Sequence, residues 1–226
     1  MSQDDRMYQA MHSGAWLPPS AWTDGDAWDR LIDWAHDHLA ETFDLRLIVT
    51  PQLQNRLGNP EGLRILTEGA ERQNARGDGT SNWRPGDGPI IIVWPQEPTV
   101  RKWEQAVAGL NRQRIILLEE GGPGFPSFHG WASAVGAFNA ATGDYEQPIP
   151  ELDEQLNTIF SRYENELTGA PNATTYGVTH GLLREKLKAV AAGGYDEDFI
   201  VTYAIGLGYP GDLPRLRQHY AAARGA

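Results

Sequence analysis

Residues 88–120 read GPIIIVWPQEPTVRKWEQAVAGLNRQRIILLEE, and the order of elements within this stretch decides the fold. Ile90, Ile91, Ile92 and Val93 form an apolar run without polar alternation, the pattern of a strand covered by helices on both faces. Pro95 ends it. Residues 98–113 then place Trp103, Ala106, Val107 and Leu110 at helical spacing, with Pro98 in the first turn. RIILLEE (114–120) is a second continuous apolar strand. Strand, helix, strand over about 30 residues is a βαβ unit, which requires parallel strands and a right-handed crossover.

Working outward, DLRLIVT (44–50) adds a third strand that stops at Pro51. The expectation is an α/β protein: a small parallel, Rossmann-like sheet of at least three strands flanked by helices. DAWDRLIDWAHDHLAETF (26–43) has helical spacing, with Asp26 as N-cap. Residues 51–75 read as mostly helical, with Leu53, Leu57, Leu63, Ile65 and Leu66 inward. RGDGTSNWRPGDG (76–88) is a turn-rich loop, long enough to suggest function or a small hairpin. SFHGWASAVGAFNAAT (127–142) reads as a low-bulk helix able to lie close to a sheet. Beyond it only helical signals follow, at 151–167, 177–192, 196–206 and 212–224, the last two capped by Asp196 and Asp212. Residues 1–25 are polar and irregular, an arm that Trp16 and Trp22 would hold against the body. The division is therefore an arm (1–25), an α/β domain (26–147) and an all-helical C-terminal third (148–226), packed on the domain or semi-independent.

Composition narrows the function classes. The 226 residues carry a formal charge of −11, which disfavours nucleic-acid binding because phosphate backbones need Lys and Arg. The chain has no cysteine, so disulfides, thiolate catalysis and Cys-based metal sites are excluded. No apolar run approaches the roughly 20 residues of a membrane span, and the first residues resemble no signal peptide, so a cytoplasmic location is expected. Eight tryptophans are many for this length, and they serve either a core or an interface.

The segments GPIIIVWPQEPT, RIILLEE and GWASAVGAFNAATGD resemble a set of uncharacterised actinobacterial proteins. These pair a strand ending in Trp-Pro with a second strand and a Gly-Trp-Ala helix. The similarity covers residues 88–145, with an echo at LPRLRQHYAAAR. It implies a bacterial α/β protein and carries over no activity and no functional residue.

Ligands of open parallel sheets lie beyond the carboxyl ends of the strands. Glu97, Glu119 and Glu120 fall at such ends, and His129 opens the next helix. Glu119, Glu120 and His129 are thus the candidate catalytic residues, with Glu97, Gly121, Gly122, Gly124 and Ser127 as candidate ligand contacts. Carboxylates and an imidazole in one crevice suit acid–base chemistry on a nucleotide or sugar-phosphate, a small anionic ligand. The alternative is a plain bend, since GGPGFP is also how a chain turns sharply. No G-x-G-x-x-G, no P-loop and no G-x-S-x-G is present, so no cofactor is expected. Asp29, Asp33, His36 and Asp37 share a helix face, as solvated faces of acidic proteins commonly do, and no metal site is expected. Two functions follow: a non-catalytic protein that binds a partner or itself through its aromatics, or a small-molecule hydrolase or transferase. The first is the primary expectation.

Overall fold

In chain order the strands are β1 (Ala15–Leu17), β2 (Leu47–Thr50), β3 (Glu71–Asn74), β4 (Ile90–Val93), β5 (Ile115–Leu118), β6 (Phe138–Asn139) and β7 (Asp144–Tyr145). A computed structural model describes residues 14–50, 60–74, 84, 87–108, 110, 114–122, 125–163, 167 and 176–225. Within them the seven strands form one sheet ordered β3-β2-β4-β5-β1-β6-β7, parallel except for the antiparallel β6–β7 edge. The helices are α1 (Gly25–Leu39), α2 (Glu61–Thr67), α3 (Glu97–Val107), α4 (His129–Val135), α5 (Pro150–Arg162), α6 (Tyr176–Ala191), α7 (Glu197–Gly206) and α8 (Leu213–Arg224). The α/β class and the helical C-terminal region are as the sequence implies.

Strand order dictates which helices cover which face. The steps β1 to β2 and β2 to β3 move toward the β3 edge, whereas β4 to β5 and β5 to β6 move the other way. Right-handed crossovers must then put α1 and α2 on one face and α3 and α4 on the other. The packing agrees. Trp28, Leu31 and Leu63 share a core with Ile48, Ile91 and Ile116. Val100, Trp103 and Trp131 share a second core with Leu47, Ile92 and Leu117. The apolar strands lack polar alternation because both of their faces are buried. The C-terminal helices continue the second core through Leu156, Leu187, Ile205 and Leu216.

Several elements differ from expectation. The irregular stretch before residue 25 contains β1, whose three residues sit between β5 and β6 and are 0–5 % exposed. Helix α1 starts one residue before Asp26, because Asp24 is the N-cap and accepts the Asp26 N–H at 3.0 Å. The helix expected over 51–75 is confined to α2 among the described residues, and Glu71–Asn74 is instead an edge strand. Its polar ERQN sequence fits an edge that faces water. Ile65 and Leu110, expected inside, are exposed, while Leu53 and Leu57 and most of the loop 76–88 lie outside the described residues.

The helix expected over 127–142 stops at Val135. Gly136, at φ 64, ends it in the left-handed conformation, and Ala137 N–H returns to Ala132 O at 2.8 Å. This frees Phe138-Asn139 to pair with β1. The low bulk of α4 serves another helix rather than the sheet: a Cβ on Gly130 would lie 2.0 Å from Phe199 O, and one on Gly206 would lie 2.7 Å from Ala134 Cβ. Helices α4 and α7 thus touch nearly backbone to backbone.

That contact gives a sharp test. Gly130→Ala must push α7 away, and chemical denaturation is expected to show a loss of about 2–3 kcal/mol. Gly181→Ala, whose Cβ meets nothing within 4 Å, is expected to gain about 0.5–1 kcal/mol from helix propensity.

Candidate functional site at the carboxyl ends of β1 and β5

Beyond β1 the chain leaves for α1 on one face, and beyond β5 it leaves for α4 on the other. Neighbouring parallel strands whose exits diverge mark a topological switch point, the usual ligand position in this architecture. Glu119 stands there. Its N–H extends the ladder to Leu17 O at 3.0 Å, and alternation points its side chain to the α4 face, as for Leu117. The carboxylate is buried, with 4 % of the residue exposed. One oxygen, Oε1, accepts a short bond from the Trp16 indole N–H and a second, of 3.0 Å, from the Phe128 backbone N–H. Gly121 and Gly122, at φ 77 and 134, then fold the chain back over β1. A Cβ at Gly121 would come within 2.6 Å of Pro19 Cβ, so the turn requires glycine twice over.

His129 lies on the same indole. Its ring stacks on Trp16 at 5.3 Å and 7°, and Phe199 meets it edge-on at 5.4 Å. Nε2 is 3.4 Å from Glu146 Oε2, while Glu146 Oε1 accepts from Asn139 Nδ2 at 2.7 Å. Asn139 is fixed in turn by the Ala141 N–H at 2.9 Å. Glu119 and His129 therefore share a wall: Trp16 gives its N–H to one and its face to the other. Next door, Trp94 ends β4 at φ 53 and bonds Leu118 O at 3.0 Å. A bulky residue in that region costs about 1–3 kcal/mol, a strain that tends to gather at functional edges.

Of the other residues proposed from sequence, Glu120 is exposed at the surface. Ser127 is also exposed; its Oγ is 3.4 Å from the His129 N–H and its carbonyl accepts from Thr202 Oγ1 at 3.2 Å. Gly124 lies outside the described residues. Glu97 belongs to a separate cluster, where it pairs with Arg217, and Arg217 also holds Glu197 at 2.6 Å and Asp198 at 2.7 Å. The first turn of α7 joins the two clusters, since Asp198 faces Arg217 and Phe199 faces His129. Trp16, Asn139 and Glu146 were not among the residues proposed from sequence.

Burial raises three carboxyls on this side of the sheet, and Glu119 is one of them. Burial pushes its carboxyl up to about 7, and the Trp16 and Phe128 donors offset only part of that. It is thus poised between acid and base at neutral pH. Glu104, under the Trp131 N–H at 2.6 Å, is likewise pushed up to about 7 by burial. Burial also raises Glu97, against the opposing charge of Arg217. Among the described residues no group of His, Asp and Glu side chains could hold a metal ion, and no helix is long and apolar enough to cross a membrane.

The chain matches no family model, no curated protein and no solved structure.

Raised carboxyls make stability fall with pH. Below about 4.5 both native and unfolded chains hold the Glu119 proton; between that value and about 7 only the native chain does. Stability should therefore decline across this window, by up to about 3 kcal/mol for each such group, and level off above it. Urea denaturation of wild type and Glu119→Gln at pH 5 and pH 8 is expected to show a smaller decline in the variant.

Proposed function

We propose that this protein is a small-molecule enzyme, a hydrolase or transferase whose acid–base group is Glu119. The observation that carries the reading is the desolvated Glu119 carboxyl at the β1–β5 switch point, where burial pushes it up to about 7. A carboxyl in that state can protonate a leaving group and recover the proton in the next step. His129 supplies a second titratable group against the same indole. Glu146 faces its Nε2 and favours the tautomer with the proton there, which leaves Nδ1 to take a proton from water or an acceptor hydroxyl. Glu146 makes the surroundings of His129 acidic, which disfavours an anionic reacting end of the substrate. The sugar end of a nucleotide or sugar-phosphate meets that requirement.

The competing reading, a partner-binding protein, rests on the tryptophans. The seven described ones are all buried, at 9 % exposure or less. The exposed large apolar residues Leu45, Ile65, Leu110, Phe125, Tyr145 and Leu182 come from separate elements and loops. No described tryptophan is therefore left for a docking surface, and the exposed aromatics Phe125 and Tyr145 lie on a loop and on β7.

The test is turnover on a panel of nucleosides, nucleotides and sugar-phosphates, followed by release of base or sugar. Glu119→Gln is expected to lower kcat/KM by about 100-fold or more, and His129→Ala by about 10–100-fold. The wild-type pH profile should inflect near 7, and Glu119→Gln should lack that limb. Wild-type turnover that survives Glu119→Gln unchanged would remove Glu119 from the chemistry.

A further inference from the structure

The first turns of α3 and α8 approach each other on the carboxyl side of the sheet and enclose an open cavity of about 410 Å³. We propose that this cavity is a separate binding site, for a small molecule whose carboxylate or phosphate group is held by Arg101. The volume falls in the range of small-molecule sites, roughly 300–1,000 Å³.

Three of its wall residues are prolines, Pro98, Pro210 and Pro214, with Leu213 between the last two in space and sequence. Prolines make a stiff, apolar wall and bring no backbone N–H, so polar recognition falls to side chains. Three charged side chains line the cavity. Two of them are already engaged. Glu97 is bound by Arg217, and Asp212 caps its own helix by accepting the Arg215 N–H at 2.8 Å. The third, Arg101, is only half buried, and among the described residues its one bond runs from Nη1 to Gly211 O. That bond fixes the guanidinium plane and leaves the rest of its donor fork for a ligand. A planar fork held in place suits the two oxygens of a carboxylate or phosphate.

A second observation concerns Tyr209. Its hydroxyl is buried and has no hydrogen-bond partner among the described residues. It lies behind the cavity wall where a Gly211 side chain would be, 2.2 Å from the position of that Cβ. A buried hydroxyl without a partner costs about 1–3 kcal/mol, and such groups commonly answer to a ligand or water. This hydroxyl lies directly behind Gly211, the residue whose carbonyl holds Arg101. The site stands independently of any role for Glu119.

The experiment is calorimetric titration of the full chain with inorganic phosphate and, separately, with succinate, at constant ionic strength maintained with chloride. One or both anions should bind saturably with a Kd of about millimolar or tighter. Phosphate alone would identify a phosphate ester as the natural ligand class, and succinate alone a carboxylate. Arg101→Gln should weaken binding at least about tenfold, whereas Arg64→Gln, in an exposed pair with Glu61 and Glu68, should leave it unchanged. Amide chemical-shift mapping on the wild-type chain gives a readout that needs no variant, with the expected shifts at Gly211, Asp212 and Leu213. The proposal is overturned if neither anion binds saturably, if Arg101→Gln binds like wild type, or if the shifts fall elsewhere.

Discussion

The Trp16 indole occupies the one position where three parts of the chain must agree. It belongs to an interior strand, its N–H engages the carboxylate that follows β5, and its face carries the imidazole that opens α4. Without that N–H, Glu119 would keep a single described donor for a carboxylate removed from water, a costly arrangement. Without that face, His129 would lose the surface that orients it toward Glu146. The indole therefore connects the sheet, the α4 layer and the β6–β7 hairpin at a single side chain, and the chemistry proposed for the Glu119 site inherits its geometry from there.

Burial dominates hydrogen bonding at Glu119, and the same contest recurs at Glu104. In each case an indole N–H donates to the carboxylate, which favours the charged form, yet desolvation is the larger effect and the carboxyl rises to about 7. At Glu97 a full positive charge replaces the indole, and burial still wins, though no longer by so wide a margin. The side of the sheet that carries the C-terminal helices thus holds two acids, Glu104 and Glu119, that burial brings close to neutral pH. An overall charge of −11, taken from the sequence alone, overstates how negative that interior edge is.

The parts of this architecture legible in the sequence are those that announce themselves locally. The runs IIIV and IILL could only be doubly covered strands, and the caps at Asp196 and Asp212 marked α7 and α8, their side chains accepting Phe199 N–H and Arg215 N–H. From those strands the address of Glu119 and His129 followed, because strand ends are where crevices form. The hidden parts depend on distant partners. Ala15-Trp16-Leu17 is too short to show a period and ends at two prolines, so only its neighbours in space make it a strand. Glu71–Asn74 is polar because it lies at an edge, and Phe138-Asn139 reads as the continuation of a helix until Gly136 is seen to stop it. Asn139 and Glu146 were out of reach for the same reason: their relation to His129 exists only after β6 has docked beside β1.

The interior place of β1 bears on how the molecule comes into being. Trp16 and Glu119 are 103 residues apart, and β6 lies further along still. A ribosome releases β1 long before either of its neighbours exists, so this strand waits without them while α1 and β2 to β4 emerge. Closing so long a loop is entropically slow, which places completion of the sheet among the late events of folding. The Glu119 site, formed by the joining of β1 and β5, assembles only once those two strands have paired, so the chemistry proposed for it waits on that long-range contact.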